Sequence, residues 1–189
     1  MHSENELGYQ TRSDGFGILY GEIAGALIER CGRNGMGFVR KAVATYGKKK
    51  GKRLREQYMG SGVRTDLHNL MAAEDGCWKD PRTLKKTVRD TPEAQLWEIY
   101  SCPLEKNWRD RGREEAGRLY CEEYLHALMD GYGEGAGQAN VSNSKTCRRD
   151  DRCVMAMYCR TANQNETQKG TGDGNGIIRE IPVEESTLL

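Results

Sequence analysis

The apolar residues Phe16, Tyr20, Ile23, Leu27 and Cys31 recur at steps of four, three, four and four. That spacing places them on one face of a helix, and Gly32 supplies its stop. On this stripe Cys31 reads as a small buried hydrophobe. A second helix is predicted over about residues 36–58, with Val39, Val43, Tyr46 and Leu54 on one side. A short third helix follows Thr65-Asp66, where the aspartate caps the turn that brings in Leu67, Leu70 and Met71. Residues 1–14 are polar, carry no such period and are expected to fray.

After Pro81 the period changes. Residues 83–90 alternate, residues 95–102 are rich in Leu, Trp, Ile and Tyr, and Thr91-Pro92-Glu93 joins them as an antiparallel hairpin. Pro103 suits the first turn of a short helix carrying Leu104 and Trp108, and a longer helix is predicted over about residues 113–130. The glycine-rich stretch 131–137 is a flexible connection. Two further strands are expected at 138–146 and 152–160, separated by the charged turn Arg148-Arg149-Asp150-Asp151. In the last strand Cys153, Met155, Met157 and Cys159 alternate with Val154, Ala156 and Tyr158, so both faces are apolar, as in an inner strand covered on two sides.

From Thr161 the composition falls to Asn, Gln, Gly, Thr and Glu. This tail is expected to be disordered, with residues 177–183 a short docking segment. The expected class is α+β: N-terminal helices packed with a C-terminal antiparallel sheet of about four strands and a long covering helix. The expected organisation is a disordered N-terminus (1–15), a single α+β domain (16–160) and a polar tail (161–189).

Composition sharpens this picture at the core. Leu, Ile, Val and Phe together are 30 of 189 residues, low enough to resemble a disordered chain. The charges oppose that reading, because 29 basic and 28 acidic residues leave a net charge of +1, too little repulsion to keep a chain expanded. Seven Cys, seven Met, nine Tyr and three Trp supply the missing apolar volume. The balanced charge also gives no basic field for nucleic acid. The run Lys48-Lys49-Lys50 to Arg55 lacks the aromatic residues that stack bases and reads as a solvated helix face. No stretch is apolar for the length of a membrane span. Residues 1–6 lack the basic and apolar regions of a signal peptide, so the expected location is cytoplasmic. An odd cysteine count without paired spacing argues for thiols rather than a disulfide framework.

No phosphate-binding glycine loop, nucleophile-elbow serine or paired-histidine zinc helix is present. The candidate chemistry is therefore in thiols, histidines and carboxylates. Glu122 precedes His126 by four residues on a helix, where a carboxylate could orient the imidazole for proton transfer. Cys121 and His126 are five residues apart, about 140° around the helix axis, so they do not face each other; Cys121 shares its stripe with Leu125 and Leu128. Cys102 ends a strand just before Pro103 and a helix, a position that favours a thiolate. Cys153 opens the last strand and could meet Cys102 across the sheet or Cys121 on the covering helix. No cofactor is expected; zinc or iron held by Cys102, Cys121 and Cys153 is the alternative. His68, beside Asp66-Leu67, is a lesser candidate for a binding role.

These pieces form a series: Tyr100-Ser101-Cys102-Pro103-Leu104, then Trp108, then Gly117-Arg118-Leu119-Tyr120-Cys121-Glu122, His126, Gly131-Tyr132 and Asp150-Asp151-Arg152-Cys153. The series resembles the L-2-amino-thiazoline-4-carboxylic acid hydrolase family, most densely over residues 95–160. One departure is Arg149-Asp150, where such sequences tend to carry Gly-Asp. The resemblance implies a hydrolase that opens a small cyclic amidine or isothiourea by adding water to the ring carbon bonded to sulfur and two nitrogens. It implies Cys102 or Cys121 as nucleophile, His126 for proton transfer, Glu122 to orient it, Arg118 as a carboxylate clamp and Cys153 in the pocket. The implied partner is a small-molecule substrate, with no nucleic acid and no membrane; a homo-oligomer is left open. The competing reading is a small-ligand- or metal-binding sensor domain without turnover.

Overall fold

The computed structural model describes residues 4–63, 65–92, 94–133, 139–143 and 153–159. Helix α1 (Glu4–Ser61) is two limbs broken at Gly32, whose φ of 54° and ψ of −130° lie outside helical space. This conformation is open to glycine and strained for residues with a Cβ. The two limbs fold back along each other, with Phe16 to Leu27 facing Phe38 to Val43 across a shallow apolar groove. The predicted pair of helices with a break at Gly32 is therefore present. Its start is not: α1 begins at Glu4, because Arg12 and Asp14 are anchored through ion pairs to Asp75 and Arg82, interactions that no apolar period announces.

The buried face of the first limb also differs from the expected stripe. Ile23 and Cys31 are exposed, while Gly17, Gly21, Ala24 and Gly25 are buried. The bare α-carbons let bulky partners close in. The Trp108 indole lies where a Cβ on Gly21 would go, and the Arg113 side chain does the same at Gly25. Trp108 Nε1 donates to the Gly17 carbonyl at 2.8 Å and so locks the approach.

Helix α2 (Leu67–Ala73) is capped by Asp66, which accepts from the Asn69 amide at 2.9 Å, as its sequence predicts. An unpredicted 3-10 turn (Cys77–Lys79) buries Trp78. Strand β1 (Leu84–Asp90) and strand β2 (Ala94–Ser101) form the expected hairpin. Helix α3 (Pro103–Arg109) starts on Pro103, and helix α4 (Glu114–Gly133) follows. Strands β3 (Ala139–Asn143) and β4 (Cys153–Cys159) complete an antiparallel sheet of order β1-β2-β4-β3. Strand β4 is an inner strand, as its apolar sequence predicts.

One face of the sheet carries Gln95, Trp97 and Ile99 on β2 opposite Met157, Met155 and Cys153 on β4. These side chains join Leu67, Leu70 and Met71 of α2 and Leu119, Leu125, Leu128 and Met129 of α4 in one core. Sulfur does fill core positions left by the shortage of aliphatic residues. Every residue of β1 is exposed, and Lys85, Lys86 and Arg89 charge this edge, which opposes pairing with other chains. The second limb of α1 meets α4 almost backbone to backbone: at Gly51 and Gly131 an added Cβ would run into the opposing helix's carbonyls. The turn at residues 148–151, the tail from residue 161 and the segment 177–183 lie outside the described residues.

Candidate functional site

Four cysteines converge although no two share an element. Cys77 lies on the 3-10 turn, Cys102 joins β2 to α3, Cys121 lies on α4 and Cys153 opens β4; all four line a small cavity of about 60 Å³. Its other walls are almost wholly apolar, from Trp78, Ile99, Leu104, Trp108 and Leu125. Glu105, three residues beyond Cys102 on α3, also lines it. Burial pushes its carboxyl up, against the pull of Arg109 at 2.6 Å, which suits proton exchange nearer neutral pH.

The sulfurs of Cys77 and Cys102 are 3.7 Å apart. The Cys77 thiol is held well above its ordinary range, first by its hydrogen bond with Cys102 and then by burial, with the charges of Cys102, Cys121 and Glu74 adding. The two sulfurs therefore act as a pair in which Cys77 keeps its proton.

A second, polar cavity of about 210 Å³ adjoins the first, and Gly76, Cys77, Leu104, Tyr120 and Tyr124 belong to the walls of both. It contains Arg12, Lys50, Glu74 and Asp75 between the rings of Tyr9, Phe16, Tyr46, Tyr120 and Tyr124. Glu74 is 1% exposed; its Oε1 accepts from Lys50 Nζ at 2.6 Å and from the Tyr124 hydroxyl at 2.6 Å. Its Oε2 is buried without a hydrogen-bond partner, against the bare α-carbon of Gly76. Burial alone would lower the Lys50 ammonium, but Glu74 and Asp75 outweigh it and hold it above its ordinary value. The same lysine keeps Asp75 low against the opposite effect of burial. Burial, reinforced by Tyr120 and Glu74, pushes the Tyr124 hydroxyl far up, so it serves as a donor.

The structure thus brings Cys102, Cys121 and Cys153 together and adds Cys77, Glu105, Lys50 and Glu74, which sequence reasoning missed. It places the remaining candidates elsewhere. His126 is exposed on α4 and lines neither cavity, on the side away from Cys121 as the helical angle requires. Glu122, expected to orient His126, instead receives Arg40 at 2.7 Å and Arg118. Arg118 is held between Glu115 and Glu122. His68 is exposed and bonds Asp90 at 2.8 Å, which raises its pKa. Local spacing places Glu122 within reach of His126, but the guanidinium groups offer it stronger, charge-assisted partners.

Among the described residues no three or more His, Cys, Asp or Glu side chains are gathered to hold a metal. No helix among them is long and apolar enough to cross a membrane.

The family model described as L-2-amino-thiazoline-4-carboxylic acid hydrolase matches residues 16–156 of the chain. No curated protein matches it. Among solved structures, the chain is similar to trafficking protein particle complex subunit 3 from Naegleria fowleri, covalently bound to palmitic acid. The identity is 14%, the coverage 80% of this chain and 96% of that one, and the TM-score 0.48.

Proposed function

The chain belongs to the L-2-amino-thiazoline-4-carboxylic acid hydrolase family, and from that premise we propose that it hydrolyses a small cyclic amidine or isothiourea carrying a carboxylate. The observation that carries this reading is the joined pair of cavities, one with four thiols and Glu105, the other with Lys50, Arg12 and Glu74. The chemistry needs both kinds of wall. The ring carbon bonded to sulfur and two nitrogens is the electrophile, and a thiol in an apolar setting is the strongest nucleophile available to attack it. The substrate's carboxylate needs cations, which the polar compartment supplies.

Cys102 is the nucleophile in this reading. Its sulfur adds to the ring carbon, the ring carbon–sulfur bond breaks, and the departing substrate thiolate takes a proton from Glu105. Water then displaces Cys102 from the carbon, with Glu105 taking up the water's proton, and the product is a ring-opened urea bearing a free thiol. Lys50, aligned by Glu74 and Asp75, and Arg12 bind the carboxylate. Cys121 and Cys153 shape the wall around the ring. Proton transfer goes to Glu105 because it lines the thiol cavity. A reducing, cytoplasmic setting keeps the four thiols available.

The test is turnover of L-2-amino-thiazoline-4-carboxylate, followed by release of the product thiol. The wild-type chain should turn it over, Cys102→Ser should not, and Cys121→Ser should retain activity. Glu105→Gln should lower the rate about 10²-fold. Tight binding without turnover by the wild-type chain would instead favour a ligand-binding module, and loss of activity in Cys121→Ser alone would move the nucleophile to α4.

A further inference from the structure

Cys77 and Cys102 are 25 residues apart in sequence, yet their sulfurs are 3.7 Å from each other. A disulfide needs about 2.05 Å, so the pair is short of bonding distance by less than one atomic diameter. Both residues sit at the ends of short elements rather than inside long ones. Cys77 opens a three-residue turn directly behind Gly76, and Cys102 is the junction between β2 and α3. Both residues are half-buried, the Cys77 thiol itself being withdrawn from solvent. The other two thiols of the cavity belong to rigid elements: Cys121 lies within the twenty-residue helix α4 and Cys153 is fixed in register opposite Ile99.

We infer that Cys77 and Cys102 are an oxidisable dithiol, a modification site at which a hydroperoxide makes a reversible disulfide. The Cys102 thiolate attacks the peroxide oxygen and breaks the O–O bond, giving a sulfenic acid and, after proton uptake, water when the oxidant is hydrogen peroxide. The Cys77 sulfur then attacks the sulfenic sulfur, the S–O bond breaks, and the Cys77 proton leaves with hydroxide as a second water. Two thiols lose two electrons in all, and the peroxide gains them. Cys77 fits the resolving role because its sulfur stands beside that of Cys102 and it keeps its proton while Cys102 meets the peroxide. Resolution as a disulfide also keeps Cys102 from the irreversible higher oxides.

The bond would lie in the wall between compartments, because Cys77 lines both cavities and Cys102 the apolar one. Closing the sulfurs draws the 3-10 turn toward the start of α3 and narrows the passage between thiols and cations. If the hydrolase reading holds, on which this consequence alone rests, oxidation also removes the nucleophile, and a thiol reductant returns it.

The experiment uses the full-length chain, reduced, treated with stoichiometric hydrogen peroxide, alkylated and mapped by mass spectrometry. The expected product is an intramolecular link between the Cys77 and Cys102 peptides, about 2 Da lighter than the dithiol, and reversed by dithiothreitol. Cys77→Ser should stop at a dimedone-trappable sulfenic acid on Cys102 in place of the link, and go on to sulfinic acid with a second equivalent of peroxide. Cys77→Ala is the second variant, with circular dichroism and a thermal melt reporting that each is folded. Cys77 and Cys102 both alkylated after the exposed Cys31 has reacted, or Cys102 linked to Cys121 or Cys153, would overturn the inference. A reversible link in a chain with no turnover in either redox state would refute the hydrolase reading and leave the dithiol standing. Turnover without the link would do the reverse.

Discussion

Replacing Gly131 by alanine tests whether backbone contact between α1 and α4 holds the molecule together. A Cβ there would lie 2.8 Å from the Lys48 carbonyl carbon, 3.0 Å from the Lys48 α-carbon and closer still to the carbonyl oxygen. Carbon atoms meet comfortably at about 3.5–4.0 Å and the oxygen is closer still, so the helices must separate by an ångström or more. Neither partner is a flexible side-chain tip; both are backbone inside hydrogen-bonded helices. The strain therefore belongs at the upper end of overpacking, about 3 kcal/mol. Alanine returns about 1 kcal/mol of helix propensity, for a net loss of about 2 kcal/mol. Urea unfolding followed by tryptophan fluorescence measures it, and a thermal melt should show a fall in melting temperature of about 4–8 °C for a domain of this size. The control is Gly37→Ala in the same helix α1, where an added Cβ meets nothing within 4 Å and a gain of about 0.5–1 kcal/mol is expected. If Gly131→Ala were neutral or stabilising while Gly37→Ala behaved as expected, the close approach of the two helices would be refuted.

Other outcomes follow from the charges. Lys50→Met leaves Glu74 buried against Tyr124 without its cation, and should cost about 3–5 kcal/mol in denaturant unfolding; a loss below about 1 kcal/mol would mean that solvent does the compensating. Asp90 raises the His68 pKa above the ordinary 6.5, so this pair stabilises the fold fully below that value and its contribution fades as pH rises through the folded-state value. Asp90→Asn should return the NMR titration midpoint of His68 toward 6.5, and an unchanged midpoint would contradict the pairing. Arg82 holds Asp80 below the usual 3.8 against the effect of burial, and holds Asp14 there too. Their contribution is thus full above 3.8 and lost as pH falls through the lower folded values. Arg82→Ala should be less stable near neutrality and lose less on acidification; parallel stability curves would rule this out.

Elements governed by neighbours in sequence were legible. Asp66 and Pro103 start helices because capping and a fixed φ act within one turn, and β4 declares its inner position because both faces are apolar. Elements governed by distant partners were not. The first limb of α1 carries a conspicuous stripe from Phe16 to Cys31, but burial follows Gly17, Gly21 and Gly25 because Trp108 and Arg113 come to rest there. A hydrophobicity pattern gives glycine no weight, so it points to one edge of the buried face, where Tyr20 and Leu27 pack against the core and Ile23 does not. At the site, motif positions singled out Cys102, Cys121 and Cys153, which do share a cavity. Cys77 has no local signature, and its significance appears only when the sheet end meets the 3-10 turn. Lys50 was hidden in a basic run in which Lys48, Lys49, Lys52 and Arg53 face solvent; its partner Glu74 is 24 positions away. Pairings of that range depend on the way the chain returns on itself, which periodicity does not encode.

The glycine contacts also bear on how variation among relatives would look. Gly47, Gly51, Gly117 and Gly131 each leave no room for a single added carbon, yet none of them lines either cavity. Selection for folding alone would hold these positions as tightly as selection for chemistry holds a nucleophile. A ranking of positions by intolerance to change would then draw a map of where two helices touch, and Cys121 and Cys153, which can exchange with serine without a clash, would stand lower on it than the scaffold that brings them together.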